Sequence, residues 1–159
     1  MNILSSLVKA QKILNKFNIK SYKLDSEVLL AEIINKSRKY IILNSKKNLS
    51  KKDLINFNSL IERRVKGEPV AYLLNKKEFW KEVFFVDKNV LIPRPDTEII
   101  VEEVLRLYPL KTNLHMLDIG TGSGCILLSI LKERPNFYGT GVDISKKSLN
   151  VCKYNTHLL

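Results

Sequence analysis

One glycine-rich run constrains the fold of this chain more than any other stretch: Met116 to Gly124, which reads Met-Leu-Asp-Ile-Gly-Thr-Gly-Ser-Gly. The residues before its first glycine are mostly apolar, and glycines then occupy every second position from Gly120 to Gly124. A continuous helical pattern follows from Cys125 to Leu131. A buried strand, a tight glycine loop and a helix N-terminus in this order are typical of the opening turn of a Rossmann-type unit. The run therefore predicts an α/β fold for this part of the chain.

A second strand is predicted over residues 138–143, and it ends in Asp143, 23 residues after Gly120. Rossmann-type folds place a carboxylate on ribose hydroxyls at roughly this spacing, about 20 residues after the glycine loop. The dinucleotide fingerprint counted from Gly120 requires glycine at position 125, where this chain has Cys125, and the third glycine comes one place early at Gly124. The loop therefore favours a ligand that has no pyrophosphate.

This pattern of acidic strand ends around a glycine loop resembles the S-adenosylmethionine pocket of class I methyltransferases. The resemblance implies that the strand-end acids face the cationic sulfonium and amino group, that loop N–H groups face the carboxylate, and that Asp143 faces the ribose diol. The candidate cofactor-binding residues are Gly120, Thr121, Gly122, Ser123, Gly124 and Asp143, with Asp118 as a further candidate.

The composition indicates a cytoplasmic protein with enough apolar material for a core. Apolar residues make up 45% of the 159 residues, and no apolar run reaches the length of about 18 that spans a bilayer. The first residues lack the basic region and long apolar core of a secretory signal. Two cysteines, Cys125 and Cys152, are too few for a disulfide framework, which favours a reducing compartment.

The formal net charge of +11 is concentrated in the N-terminal half, where residues 1–75 carry 15 Lys and Arg against 6 Asp and Glu. This excess favours an anionic partner such as RNA, a ribosomal surface or an acidic protein. The alternative is that the lysines simply cover solvent-exposed faces. They are scattered singly without interleaved aromatic residues, so direct base-specific reading of nucleic acid is not expected.

The N-terminal part, residues 1–75, is predicted to form a small helical bundle. Amphipathic helices are predicted over residues 2–17, over residues from about 21 to 35, over a short stretch capped by Ser37, and from Ser50 to a C-terminal glycine at Gly67. This part contains no His/Cys cluster, no Ser/His/Asp set and no phosphate loop. Its predicted role is therefore to position a partner.

Residues 76–95 are predicted to form a β-hairpin linker, because aromatic and β-branched residues dominate and the helical period is lost. Turn character lies at residues 87–89, and an extended pattern resumes at residues 90–92. Pro93, Arg94, Pro95 and Asp96 are predicted to be extended, since residues before proline avoid the helical region. Asp96 is predicted to cap the next helix, Thr97 to about Tyr108. This rigid segment either holds Arg94 and Glu98 at the mouth of the cofactor pocket or serves only as a stiff linker.

Residues 96–159 are predicted to hold the α/β part, which ends in an amphipathic helix from about Ser145. Its expected apolar face contains Leu149, Cys152 and Tyr154. His115 and His157 are isolated and have no partner at metal-ligand spacing, so no metal site is predicted.

Five blocks in a fixed order resemble the HemK/PrmC family of peptide chain release factor glutamine methyltransferases. The blocks are residues 24–31, 63–72, 78–80, 90–98 and 117–124. The resemblance implies a helical N-terminal domain that engages the release factor, a hairpin linker, and a Rossmann-like class I methyltransferase domain. It also implies transfer of the methyl group of S-adenosylmethionine to the side-chain amide nitrogen of the glutamine in the release factor's Gly-Gly-Gln motif. The expected state is a monomer.

The chain departs from the family pattern in one respect, because the Asn-Pro-Pro-Tyr motif that holds the glutamine amide does not occur in it. No catalytic residue is therefore assigned within these residues. We expect a truncated methyltransferase domain, from a fragment or a shortened reading frame, that binds cofactor weakly and transfers no methyl group. Two alternatives stay open: methylation of an exocyclic amine on nucleic acid, and a non-catalytic helical module that binds a translation factor.

Overall fold

Five helices form the N-terminal part of the computed structural model, which describes residues 1–159. They are α1 (Ile3–Lys16), α2 (Tyr22–Ile33), α3 (Arg38–Leu43), α4 (Lys51–Val65) and α5 (Val70–Leu74). The predicted caps at Ser37 and Ser50 are confirmed, since each hydroxyl accepts the N–H of the residue three positions later. Gly67 ends α4 with a φ of +91°, as a C-terminal glycine should. The short helix α5 was not predicted.

These helices make one compact unit, Met1–Leu74, around a single apolar core. The core is built from the inward faces of α1, α2 and α4 with single residues from α3 and α5. Its largest fully buried side chains are Ile3, Leu14, Leu29, Leu30, Ile41 and Phe57. Most of the excess positive charge of this unit lies on exposed lysines.

One buried ion pair crosses the helical unit. Arg64 on α4 donates from Nε to Oδ2 of Asp25 on α2 at 2.7 Å, and the Ser21 hydroxyl donates to the same oxygen at 2.9 Å. Asp25 is buried, and the Arg64 side chain is mostly buried. The pair therefore fixes α4 against α2 from within the unit.

The second compact unit, Asn75–Leu159, opens with a β-hairpin inside the predicted range 76–95. Its connecting turn lies at residues 80–81, and the predicted turn near residues 87–89 is followed by no strand at residues 90–92. Strands β1 (Lys77–Phe79) and β2 (Glu82–Phe84) pair antiparallel around a two-residue turn. Trp80 occupies this turn with a φ of +55°, and its indole N–H donates to Glu133 at 2.9 Å. The turn is thus held by side chains from elsewhere in the unit.

The predicted extended conformation of Pro95 and Asp96 and the predicted cap at Asp96 are both wrong. A 3₁₀ helix, Pro95–Thr97, precedes α6 (Glu98–Leu107), and Asp96 lies inside this short helix and makes no capping hydrogen bond. The two prolines explain the difference, because Pro95 has a φ suited to the first position of a helical turn and starts that turn one residue before Asp96.

A β-α-β unit follows: β3 (Leu114–Ile119), α7 (Cys125–Glu133) and β4 (Phe137–Val142), with the two strands parallel. Helices α6 and α7 pack together beside this sheet, and α8 (Lys146–Leu158) closes the chain. The core of the unit includes Phe79, Phe84, Val101 and Ile130. The structure is thus a helical unit followed by a mixed unit with two small sheets.

No helix in the structure combines the length and apolar character needed to cross a membrane.

Candidate ligand-binding site at the glycine loop

The predicted glycine loop lies where β3 ends and α7 begins, and it spans residues 120–124. All three glycines have left-handed backbones, with φ of +79°, +55° and +80°. At Gly124 an added Cβ would lie 2.8 Å from Sγ of Cys152 and 3.1 Å from Cδ1 of Leu128. Glycine is therefore required at this position both by the backbone conformation and by the packing of α8 and α7.

The loop is anchored to the end of the neighbouring strand. The N–H groups of Gly120 and Thr121 both donate to the carbonyl oxygen of Val142, at 2.8 and 3.0 Å. The Gly124 N–H donates to the Thr121 carbonyl at 2.8 Å. This anchoring places the loop at the carboxyl end of the parallel pair, the edge where open α/β sheets bind ligands.

Both predicted strand-end acids meet the loop. Asp143 accepts the N–H of Gly122 at 3.0 Å through Oδ2 and the N–H of Ser145 at 2.8 Å through Oδ1. Asp118 accepts the hydroxyl of Thr121 at 2.7 Å. Each carboxylate oxygen has more than one lone pair, so both acids can accept further donors from a ligand. The loop and the two acids therefore form one cluster.

Most N–H groups of the loop already donate to acceptors within the protein, so few of them are available to a ligand. The N–H groups of residues 120, 121, 122 and 124 donate as described above. The Ser123 N–H makes no hydrogen bond within the protein. A ligand anion would therefore meet Ser123 and the first-turn N–H groups of α7, which have no partner in the helix.

The edge around this cluster is open to solvent. The side chains of Ile119, at the end of β3, and Ile144, beyond the end of β4, are 79% and 104% exposed. The carboxyl-end edge of the sheet thus carries carboxylate oxygens, a free N–H group and exposed apolar side chains. This combination suits a small ligand that has both cationic and anionic groups and an apolar part.

The two other candidate residues, Arg94 and Glu98, make no hydrogen bond to the loop. Glu98 accepts the backbone N–H of Trp80 at 2.9 Å and so holds the hairpin turn. Arg94 is exposed and precedes the 3₁₀ helix. Neither side chain makes a hydrogen bond to residues 118–124.

The two cysteines beside the loop are not activated nucleophiles. Burial raises the pKa of the Cys125 thiol, and a hydrogen bond with Ser123 opposes this only in part. Burial also raises the pKa of Cys152, and the negative charges of Asp118 and Asp143 raise it further. Since thiolate is the reactive form, both thiols remain protonated and unreactive at neutral pH.

Sequence reasoning missed Asn155, a residue that reaches the loop. The predicted apolar face of α8 is only partly correct: Leu149 and Cys152 are partly buried, but Tyr154 is 54% exposed and the buried residues are Ser148, Val151 and Asn155. The side chain of Asn155 is fully buried and donates to the carbonyl of Ser123 at 2.8 Å. The helical spacing of these three positions was the available signal, but two of them are polar.

The fold defines a two-part protein: a helical domain, then an α/β unit with a candidate ligand-binding edge at its glycine loop. Residues 6–74 match the family model described as the PrmC N-terminal domain.

Over 155 residues the chain is 37% identical to a release factor glutamine methyltransferase of Caulobacter vibrioides, an alignment that covers 98% of this chain and 54% of the relative. It is 41% identical over 139 residues to the protein of that name from Buchnera aphidicola subsp. Baizongia pistaciae, with 87% and 50% covered. A bifunctional methyltransferase of Rickettsia prowazekii is 37% identical over 168 residues, with 94% of this chain and 32% of the relative covered.

The chain is therefore similar over residues 6–74 to the PrmC N-terminal domain, and over most of its length to release factor glutamine methyltransferases. It spans about half the length of the release factor glutamine methyltransferases it matches, and about a third of the bifunctional relative.

Proposed function

We propose that residues 75–159 are the cofactor-binding part of a Rossmann-like class I methyltransferase and bind S-adenosylmethionine. The single observation that carries the proposal is the contact between the glycine loop and Asp143 at the carboxyl end of the parallel strands. The spacing of the glycines and the family relatives, which are named methyltransferases, support the same ligand.

The residues present fit the chemical groups of this cofactor. Asp143 and Asp118 are acceptors for a ribose diol and for cationic groups, while the Ser123 N–H and the start of α7 suit a carboxylate. The left-handed Gly122 and Gly120 have no side chain that would cover the approach to the loop. When bound, S-adenosylmethionine supplies an electrophilic methyl group attached to a sulfonium.

We propose that the reaction is methylation of the side-chain amide nitrogen of the glutamine in the Gly-Gly-Gln motif of a peptide chain release factor. The names of the relatives support this substrate. An amide nitrogen is a weak nucleophile, so the acceptor must be held and aimed, and positioning supplies much of the catalysis. Because Asn-Pro-Pro-Tyr does not occur in these residues, their part is to hold the donor.

We propose that the helical domain, residues 1–75, engages the release factor, and that the hairpin segment 76–95, which begins the second unit, joins it to residues 96–159. The match of residues 6–74 to a domain model named for this family supports a dedicated role for the bundle. A mass increase of one methyl group on the glutamine of a release factor, with none on RNA or DNA, tests this substrate.

Replacing Asp143 with asparagine is expected to weaken binding of S-adenosylhomocysteine to the 159-residue chain at least tenfold. The charge is lost, and the amide NH₂ would oppose the N–H of Gly122 or Ser145. A tenfold change in affinity corresponds to about 1.4 kcal/mol. Isothermal titration calorimetry measures the change directly.

The matched control is Glu102→Gln, which removes the same charge from an exposed position on α6. It should bind like the unmodified chain. Absence of binding by the unmodified chain, or equal affinity for Asp143→Asn, would contradict the proposed cofactor site.

A further inference from the structure

Asn155 on α8 connects the glycine loop to the segment that follows the hairpin. Its Nδ2 donates to the carbonyl of Ser123 at 2.8 Å and to the carbonyl of Phe85 at 3.0 Å. Its Oδ1 accepts the N–H of Phe85 at 2.8 Å. The side chain is fully buried and every polar atom has a partner. The side-chain amide of Asn155 therefore hydrogen-bonds to both the glycine loop and the backbone of Phe85.

Ser148 extends this connection along the same face of α8. Its hydroxyl donates to the carbonyl of Asn89 at 2.8 Å, and it is buried seven residues, or two helical turns, before Asn155. The segment 85–89 is thus bonded to α8 at both ends. Pro93 and Arg94 follow this segment in the sequence.

We propose that Asn155 is a positioning residue for cofactor binding, which sets the conformation of Ser123 and Gly124 and couples it to segment 85–89. The inference rests on the proposed function, because it concerns the same loop. The Ser123 carbonyl belongs to the peptide group that enters the left-handed Gly124, so a bond to this oxygen fixes the orientation of that peptide. Ser123 also carries the one unused N–H of the loop, and fixing the residue directs that donor.

Aspartate at position 155 separates this role from general packing, because it has nearly the same shape as asparagine. When ionised, it can still accept the Phe85 N–H but cannot donate to the Ser123 carbonyl. When protonated, it regains one donor. Burial disfavours the charged form and raises the pKa of such a carboxyl, so the donor returns as pH falls.

The experiment measures the affinity of the Asn155→Asp chain for S-adenosylhomocysteine by calorimetry at pH 8 and pH 5.5, beside the unmodified chain. We expect at least tenfold weaker binding at pH 8, and a difference from the unmodified chain at least threefold smaller at pH 5.5. Circular dichroism in the same buffers gives the folded fraction of each variant. The unfolded fraction must be too small to account for the loss of affinity. An equal deficit at both pH values, or affinity within twofold of the unmodified chain, would overturn the proposal.

The matched control is Asn150→Asp, which adds the same charge at an exposed position of α8. The other titratable or charged groups near the loop, on segment 85–89 and on this helix are present in both variants: Asp87, Lys88, Asp118, Cys125, Asp143, Lys146, Lys147, Cys152, Lys153, Tyr154 and His157. The control should therefore bind within twofold of the unmodified chain at each pH. A pH effect of equal size in the control would also overturn the proposal.

A second measurement does not depend on ligand. In Asn155→Asp, the amide resonances of Gly124 and Phe85 should titrate together with one midpoint, while those of Asn150→Asp should not. If the unmodified chain binds no S-adenosylhomocysteine, the proposed function fails, and this titration still decides whether Asn155 positions the loop. Resonances that do not respond at Gly124 would refute the positioning role.

Discussion

Replacing Gly124 with alanine should destabilise the unit that contains residues 75–159 by about 3 kcal/mol. A left-handed backbone costs a residue with a Cβ about 1–2 kcal/mol. The new Cβ would also lie 2.8 Å from Sγ of Cys152 and 3.1 Å from Leu128, and relieving such overpacking typically costs about 1–3 kcal/mol. Urea unfolding followed by the fluorescence of Trp80, the single tryptophan, reports on this unit.

Gly120→Ala is the matched control, because Gly120 has nearly the same φ but no atom within 4 Å of the added Cβ. Gly120→Ala should therefore destabilise the unit only by the cost of a left-handed backbone, about 1–2 kcal/mol. Removing Sγ with Cys152→Ala should recover about 1 kcal/mol of the Gly124→Ala loss, which a double-mutant cycle measures. Equal losses for the two glycine variants would show that the packing around Gly124 does not restrict it.

Replacing Arg64 with methionine should destabilise the helical unit by about 2–3 kcal/mol. The change leaves the buried carboxylate of Asp25 with only the Ser21 hydroxyl as a side-chain partner. Removing one partner of a buried pair is strongly destabilising, because the remaining charge stays away from water without compensation. Thermal or urea unfolding followed by circular dichroism at 222 nm measures the loss in this helix-rich unit.

Arg63→Met provides the comparison, since Arg63 is the adjacent residue and pairs with Glu68 at the surface. Exposed ion pairs contribute about 0–1 kcal/mol, so this variant should differ little from the unmodified chain. Similar losses of stability in both arginine variants would mean that burial does not increase the contribution of the Arg64–Asp25 pair to the free energy of unfolding.

The elements that the sequence predicted well are those whose signals are local. Ser37 and Ser50 precede helical patterns and cap them, and the glycines of residues 120–124 could only mark a tight turn before a helix. A hairpin within residues 76–95 also follows from a local change of period, although the position of its turn at Trp80 was not predicted. Periodicity, caps and glycine are properties of short segments, so they can be recognised without knowledge of the packing.

The residues that were mispredicted depend on contacts between distant segments. Asn155 is buried because it satisfies backbone groups of Phe85 and Ser123, which lie 70 and 32 residues away in sequence. A hydrophobic pattern cannot show this, and it favoured Tyr154 instead. Similarly, Glu98 bonds the N–H of Trp80, a contact that depends on the hairpin packing beside α6.

The most direct test of the cofactor site is an NMR titration of the 159-residue chain with S-adenosylhomocysteine. We predict that amide resonances of Gly122, Ser123, Gly124 and Asp143 shift on binding, while those of the helical unit do not. A parallel titration with NAD should leave the same resonances unchanged, because the loop lacks the dinucleotide spacing of glycines. Shifts confined to other residues, or an equal response to NAD, would contradict the account.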